Sequence, residues 1–256
     1  MPDKRDNSKK PELHEEELSL TRPGGTLPVF CVRPDDNKSH PGVILIHEIF
    51  GVNEHIKDVA RRFANEGYTV YAPDLFAYSP NLPRDRDDLA GMRAAWASIS
   101  DEQLIADLQE VFSVARRSDK VKPKAIGTIG FCMGGAIAFM FACRTPLLAW
   151  VASFYGRIYY QDITEYKARH PISYTGGLHC PFLGLYAGID DLITEEQIQF
   201  FQKKLVDLGK TFRLKTYPNS KHAFFNDQRE FYHQEAATDA WQHTLAFIAA
   251  NTRHNS

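Results

Sequence analysis

The decisive stretch of this sequence reads Gly130-Phe131-Cys132-Met133-Gly134-Gly135. It joins a short apolar run at residues 125–130 to an apolar stretch with helical spacing at 134–143, which predicts a strand that turns sharply into a helix. Side chains two positions either side of the central residue would collide with neighbouring backbone in such a turn, so only small residues fit there. Cys132 is predicted to lie at a helix N-terminus, where the dipole and free amide hydrogens stabilise a thiolate.

By itself this motif leaves two interpretations open. Cys132 is either a nucleophile, with the Met133 amide helping to bind an oxyanion, or a buried and inert cysteine in a tight turn. The rest of the chain has to decide between them.

Outward from the turn, apolar runs alternate with stretches of helical periodicity. Strands are predicted at residues 27–32, 42–46, 69–72, 125–130, 149–155, 182–187 and 212–217. Helices are predicted at residues 55–65, 102–115, 134–143, 195–208 and 232–250. This alternation predicts an α/β fold, with a mostly parallel central sheet and helices on both faces. The segments 74–100 and 157–181 do not fit it, and either roof a pocket or form long surface connections.

An acid and a histidine follow the last two predicted strands, at Asp190 and His222. The order nucleophile, acid, histidine is that of α/β-hydrolases and differs from the orders in the two main serine-protease folds. His222 would accept the thiol proton or pair with a thiolate, and Asp190 would fix the imidazole tautomer. Taken singly, His222 could be a surface residue and Asp190 a helix cap; Asp191 is the less favoured acid.

A fourth element, at residues 47–53, follows the predicted strand 42–46. In α/β-hydrolases this loop donates the second oxyanion-hole amide, and Ile49 is the candidate donor. The adjacent His47 and Glu48 would begin an H-E-x-x-H zinc motif only with a histidine at position 51, which is Gly51. No metal site is therefore predicted.

Composition sets the remaining expectations. The 256 residues are 43% hydrophobic with a formal net charge of -2, which points away from nucleic acid and membrane partners. Residues 1–17 are expected to form a disordered polar lead before a single α/β domain at 18–256. The four cysteines make no disulfide framework, which favours a cytoplasmic location, and we expect a monomer or a homodimer.

Over residues 18–250 the chain resembles the dienelactone hydrolase (carboxymethylenebutenolidase-like) family. The resemblance is carried by residues 47–53, 72–75, 130–135, 188–190 and 222–225. It implies an α/β-hydrolase fold and cofactor-free hydrolysis of a small ester or lactone by Cys132, His222 and Asp190. It also implies that Glu48 lies near the thiol and helps to control its ionisation, which would protect a resting cysteine from oxidation.

The substrate-binding residues depart from the best-known members of the family, in which two arginines and a tyrosine recognise the lactone carboxylate. Asn226 stands four residues after His222, and Phe154 stands where the tyrosine would be. Dienelactone itself is therefore not the expected substrate. The candidate substrate-contacting residues are Phe154, Tyr155, Arg157 and Phe224.

Two alternatives stay open at this stage. One is a cysteine enzyme of the class I amidotransferase type on a related sandwich, whose histidine normally follows the nucleophile sooner. The other is a non-catalytic or redox-responsive protein that kept the fold.

Overall fold

A computed structural model describes residues 11–22, 25–77, 79, 81–83, 85 and 87–252. The strands are β1 (Leu13–Arg22), β2 (Gly25–Pro34), β3 (His40–Ile46), β4 (Thr69–Pro73), β5 (Val121–Phe131), β6 (Val151–Phe154), β7 (Phe182–Ile189) and β8 (Phe212–Lys221). The helices are α1 (Glu54–Asn65), α2 (Leu89–Ala97), α3 (Asp101–Arg117), α4 (Met133–Arg144), α5 (Glu195–Asp207) and α6 (Gln234–Thr252), with a 3-10 helix at Pro171–Gly177.

The eight strands form one sheet in the order β1-β2-β4-β3-β5-β6-β7-β8. β1 and β2 pair antiparallel, as do β2 and β4. The remaining neighbours in this order, from β4 through β3 and β5 to β8, pair parallel. Every residue of β4 and β6 is buried, as expected for parallel strands covered on both faces. The mostly parallel sheet predicted from the sequence is confirmed.

The crossover connections place helices on both faces of this sheet. The connection through α1 runs from β3 to β4, and the connection through α3 runs back past β3 to β5. Parallel crossovers are almost always right-handed, so two that run in opposite directions place their helices on opposite faces of the sheet. α6 lies beside α1, where the rings of Phe63 and Trp241 are 4.6 Å apart. α4 packs beside α3 over β5 and β6, and its central residues are buried all round.

Strand β1 was not predicted. It pairs with β2 along its whole length from Leu13 to Arg22, so the expectation of a disordered lead is wrong for residues 13–17; residues 1–10 lie outside the described part of the chain. Its sequence is mainly polar because an edge strand needs only one apolar face. Glu15 and Glu17 on this strand pair with Arg61 and Lys57 of α1.

The described residues of the two segments that do not fit the strand–helix alternation, 74–100 and 157–181, pack against each other. The first contains α2, and the second is fastened to it by Lys167, whose side chain is buried. Lys167 Nζ lies 2.8 Å from Asp101 Oδ1 and 2.8 Å from the carbonyl oxygen of Ile99. It also lies 4.9 Å from the centroid of the Trp96 ring. The second segment is therefore held in place by a buried ion pair.

In the part of the chain that the structure describes, no helix combines the length and apolarity needed to cross a membrane.

Candidate active site

The turn between β5 and α4 puts Cys132 in a backbone conformation that non-glycine residues rarely adopt, with φ 54° and ψ -117°. Its amide donates a hydrogen bond to the Phe154 carbonyl across 2.9 Å. Glycines make the turn possible: a Cβ on Gly130 would meet the Gly134 backbone, and one on Gly134 would meet the carbonyls of Ile46 and His47. The strain is thus held by surrounding backbone, and the thiol is left partly exposed.

His222 lies between the thiol and an acid. Its Nε2 is 3.0 Å from Cys132 Sγ, and its Nδ1 is 2.7 Å from Asp190 Oδ2. The Asp190 side chain is buried, and its Oδ1 accepts a hydrogen bond from the Leu192 amide, which orients the carboxylate. The three residues come from the ends of β5, β7 and β8, so the structure brings together the three side chains predicted to act together.

Opposing effects set the pKa of His222. Burial of the ring disfavours its charged form, but the attraction of the Cys132 sulfur and the hydrogen bonds to Asp190 and Cys132 outweigh burial. Together they raise the pKa of His222 from 6.5 to about 10. A raised pKa favours the imidazolium form of the ring, which is suited to pair with a thiolate.

The two predicted oxyanion donors lie on loops that meet at this turn. Met133 is the first residue of α4, where helical geometry leaves its N–H without a carbonyl four residues earlier. Ile49 lies in a turn closed by a 3.2 Å hydrogen bond from the Gly51 amide to the Glu48 carbonyl, which does not use the Ile49 N–H. Both amides are thus available by the geometry of their own turns.

Glu48 is buried and held by two uncharged donors. The Tyr155 hydroxyl donates to its Oε1 across 3.2 Å, and Asn226 Nδ2 donates to its Oε2 across 2.5 Å. Burial, together with the charges of Glu48 and Cys132, raises the pKa of Tyr155 well above its usual range, so the phenol keeps the proton that it donates. The Tyr155 ring also packs against His222, at 5.1 Å between centroids, so Tyr155 contacts both Glu48 and His222.

Comparison with known proteins assigns most of the chain to one family. The family model described as the dienelactone hydrolase family matches residues 27–252. The chain belongs to the dienelactone hydrolase family. A Salmonella typhi protein named "Putative carboxymethylenebutenolidase" is 34% identical over 233 residues, which cover 90% of this chain and 85% of that protein. The protein of the same name from Escherichia coli K12 is 34% identical over 232 residues, covering 90% and 84%.

A solved structure supports the same family assignment. The crystal structure titled "Putative Dienelactone Hydrolase" from Klebsiella pneumoniae superposes with a TM-score of 0.86 at 32% identity, covering 93% of this chain and 99% of that one. The α/β-hydrolase fold implied by the resemblance is confirmed, and membership of this family indicates an ester or lactone hydrolase. The comparisons give no support to the amidotransferase alternative.

Within this dienelactone hydrolase fold, the other candidate residues do not all face Cys132 and His222. Phe154 and Phe224 are fully buried, and their rings pack with Phe131, Tyr155 and one another, so contact with substrate is not supported for these two. Tyr155, expected to touch substrate, instead donates to Glu48. Arg157 is half-buried in the wall of a small pocket against α4, whose lining includes neither Cys132 nor His222.

Sequence reasoning missed the part played by Asn226, which was noted only as a departure from the family's arginine. The signal was its distance of four residues from His222, but its contact with Glu48 depends on two loops that are 178 residues apart. Within the described ranges, no group of three or more His, Cys, Asp or Glu side chains is arranged to hold a metal ion.

Proposed function

We propose that this family member hydrolyses a small ester or lactone through a thioester formed on Cys132. The observation that carries the proposal is the bridging position of His222, 3.0 Å from Cys132 Sγ and 2.7 Å from Asp190 Oδ2. A histidine in this position can hold an imidazolium next to a thiolate and later return a proton to a leaving group.

In the first half-reaction the Cys132 thiolate attacks the carbonyl carbon of the substrate. The amides of Met133 and Ile49 donate to the oxygen as its negative charge develops. The C–O bond then breaks, and the alcohol takes its proton from the His222 imidazolium. In a lactone this alcohol remains attached to the acyl chain.

In the second half-reaction His222, now neutral, accepts a proton from water, and the resulting hydroxide attacks the thioester carbon. The C–S bond breaks, the acid leaves, and the thiolate again pairs with the imidazolium. Asp190 keeps the Nδ1–H tautomer in place throughout and supports the positive charge on the ring.

Glu48 is proposed to restrain the thiol between turnovers. Glu48 contacts Tyr155, whose ring packs against His222, and its negative charge lowers the fraction of Cys132 present as thiolate, which limits oxidation of the resting enzyme. Its partners Tyr155 and Asn226 are uncharged. Because these contacts add no positive charge beside Glu48, the site favours a substrate that is uncharged near the reacting carbonyl.

Acyl transfer to Cys132 can be tested by mass spectrometry and steady-state kinetics with p-nitrophenyl acetate and with a small neutral lactone. The wild type should hydrolyse both and carry one acetyl group on Cys132 after rapid acid quenching of the ester reaction. Cys132→Ala should lose both properties, whereas Cys31→Ala, which removes a buried thiol in β2, should keep them. Unchanged hydrolysis by Cys132→Ala would refute the proposal.

A further inference from the structure

Both ring nitrogens of His47, which is fully buried at the end of β3, lie within hydrogen-bond distance of backbone groups. Its Nδ1 is 2.6 Å from the carbonyl oxygen of Glu48, and its Nε2 is 3.1 Å from the amide nitrogen of Leu75. A carbonyl can only accept and an amide can only donate, so the two bonds together require the neutral tautomer with its proton on Nδ1. His47 therefore donates to Glu48 and accepts from Leu75.

The carbonyl that His47 holds belongs to the same peptide group as the Ile49 N–H. In a planar trans peptide the C=O and N–H bonds point in opposite directions, so fixing one fixes the other. We infer that His47 is a positioning residue that aims the Ile49 amide at the developing oxyanion. This inference rests on the proposed function, because it assigns His47 a part in that reaction and no direct contact with substrate.

The surroundings keep the His47 ring from turning. The Phe76 ring packs on it at 5.1 Å between centroids, and the Leu75 amide reaches it from the turn that follows β4. Gly134 lies against the His47 carbonyl so closely that a Cβ would meet it, which fixes the loop relative to the nucleophile turn. The loop that carries Glu48 and Ile49 is thus held by the turn after β4 on one side and by α4 on the other.

A matched pair of amide variants separates the two hydrogen bonds. In His47→Asn the side-chain nitrogen can take the place of Nδ1 and keep the bond to Glu48, whereas in His47→Gln the side-chain oxygen can take the place of Nε2 and keep only the bond from Leu75. The assays are ester kinetics, the Ki of a trifluoromethyl ketone that forms a hemithioketal with Cys132, and the rate of alkylation by iodoacetamide.

We expect His47→Gln to lower kcat by about 10- to 100-fold with little change in KM, and to raise the Ki of the ketone similarly, because the oxyanion loses an aligned donor. His47→Asn should stay within about 3-fold of wild type, since the donor is kept. Alkylation develops no oxyanion, so its rate should change less than about 2-fold in either variant.

Equal losses in the two variants would overturn the inference in favour of a packing role. A fall in alkylation that matches the fall in kcat would also overturn it, because His47 would then act through the thiol. Failure of the proposed function itself would look different: turnover by the wild type would not depend on Cys132, whatever the His47 variants did.

Discussion

Asn226 donates a hydrogen bond to Glu48 across 2.5 Å, although the two residues are 178 positions apart in the chain. Asn226 is fully buried, and its Oδ1 accepts from the Gln228 amide across 3.0 Å, so its NH2 group has to face Glu48. The loop after β8, which carries His222, is in this way joined to the loop after β3. An uncharged donor thus holds the buried acid next to Tyr155, whose ring packs against His222.

Replacing Asn226 by aspartate should place two carboxylates in contact at this point. One of them must then hold a proton, so kcat/KM should fall by about tenfold or more at alkaline pH and recover at acid pH. Gln228→Glu adds the same charge two residues away on the exposed surface and should leave the pH-rate profile unchanged. Identical profiles for wild type and Asn226→Asp would show that this contact does not matter for catalysis.

Glu48→Gln should make the resting thiol more reactive. Removing a negative charge near Cys132 favours the thiolate, so alkylation by iodoacetamide at neutral pH should accelerate by roughly 5- to 10-fold. The control is Glu54→Gln, which removes an exposed carboxylate at the start of α1 and should leave the rate unchanged. A slower reaction in Glu48→Gln would contradict the proposed guarding role.

Cys132→Ala should lower the pKa of His222, which NMR titration of the imidazole can follow. Cys132 and Asp190 together outweigh burial and raise this pKa to about 10, so without Cys132 the value should fall toward the ordinary 6.5. Because the folded-state pKa lies above the unfolded value, the contribution of protonated His222 to stability is fully present below pH 6.5 and is lost as pH rises through about 10. The difference in Tm between wild type and Cys132→Ala should shrink over that range, and a constant difference would argue against the ion pair.

Gly134→Ala should destabilise the protein and impair catalysis, because its Cβ would meet the backbone carbonyls of Ile46 and His47. Neither carbonyl can move without shifting the oxyanion loop, so we expect a cost of about 2–3 kcal/mol in urea unfolding and a lower kcat. Gly176→Ala is the matched control, since a Cβ there meets nothing within 4 Å. Equal stability of the two variants would show that the loop can yield.

The ion pair between Lys167 and Asp101 should matter most when only one partner is removed. Lys167→Met leaves a buried carboxylate whose pKa is already raised by burial, and should cost about 3 kcal/mol of unfolding free energy. Changing Asp101 to leucine as well should recover most of that loss, since both charges then leave the interior. Equal stability of the single and double variants would contradict this account.

Much of the fold could be predicted because its signals are local. The apolar runs of the central strands and the glycines around Cys132 each reflect an environment set by a few neighbouring residues. Strand β1 could not be found this way, since its mainly polar sequence becomes a strand only by pairing with β2. Helix α2 was also missed, because it lies in a segment rich in proline and charge.

The candidate site likewise combines residues that the sequence predicts with contacts that only the structure reveals. Cys132, Asp190 and His222 were found from the sequence because parallel strands bring their carboxyl ends to one edge, so chain order alone predicts a meeting point. Which side chains contact Glu48, and what His47 holds, depend on loop paths and ring orientations that no local pattern encodes. The sequence alone therefore determined the fold class and the candidate residues Cys132, Asp190 and His222, whereas the tertiary structure decided the surroundings of Cys132, because those contacts join loops far apart in the chain.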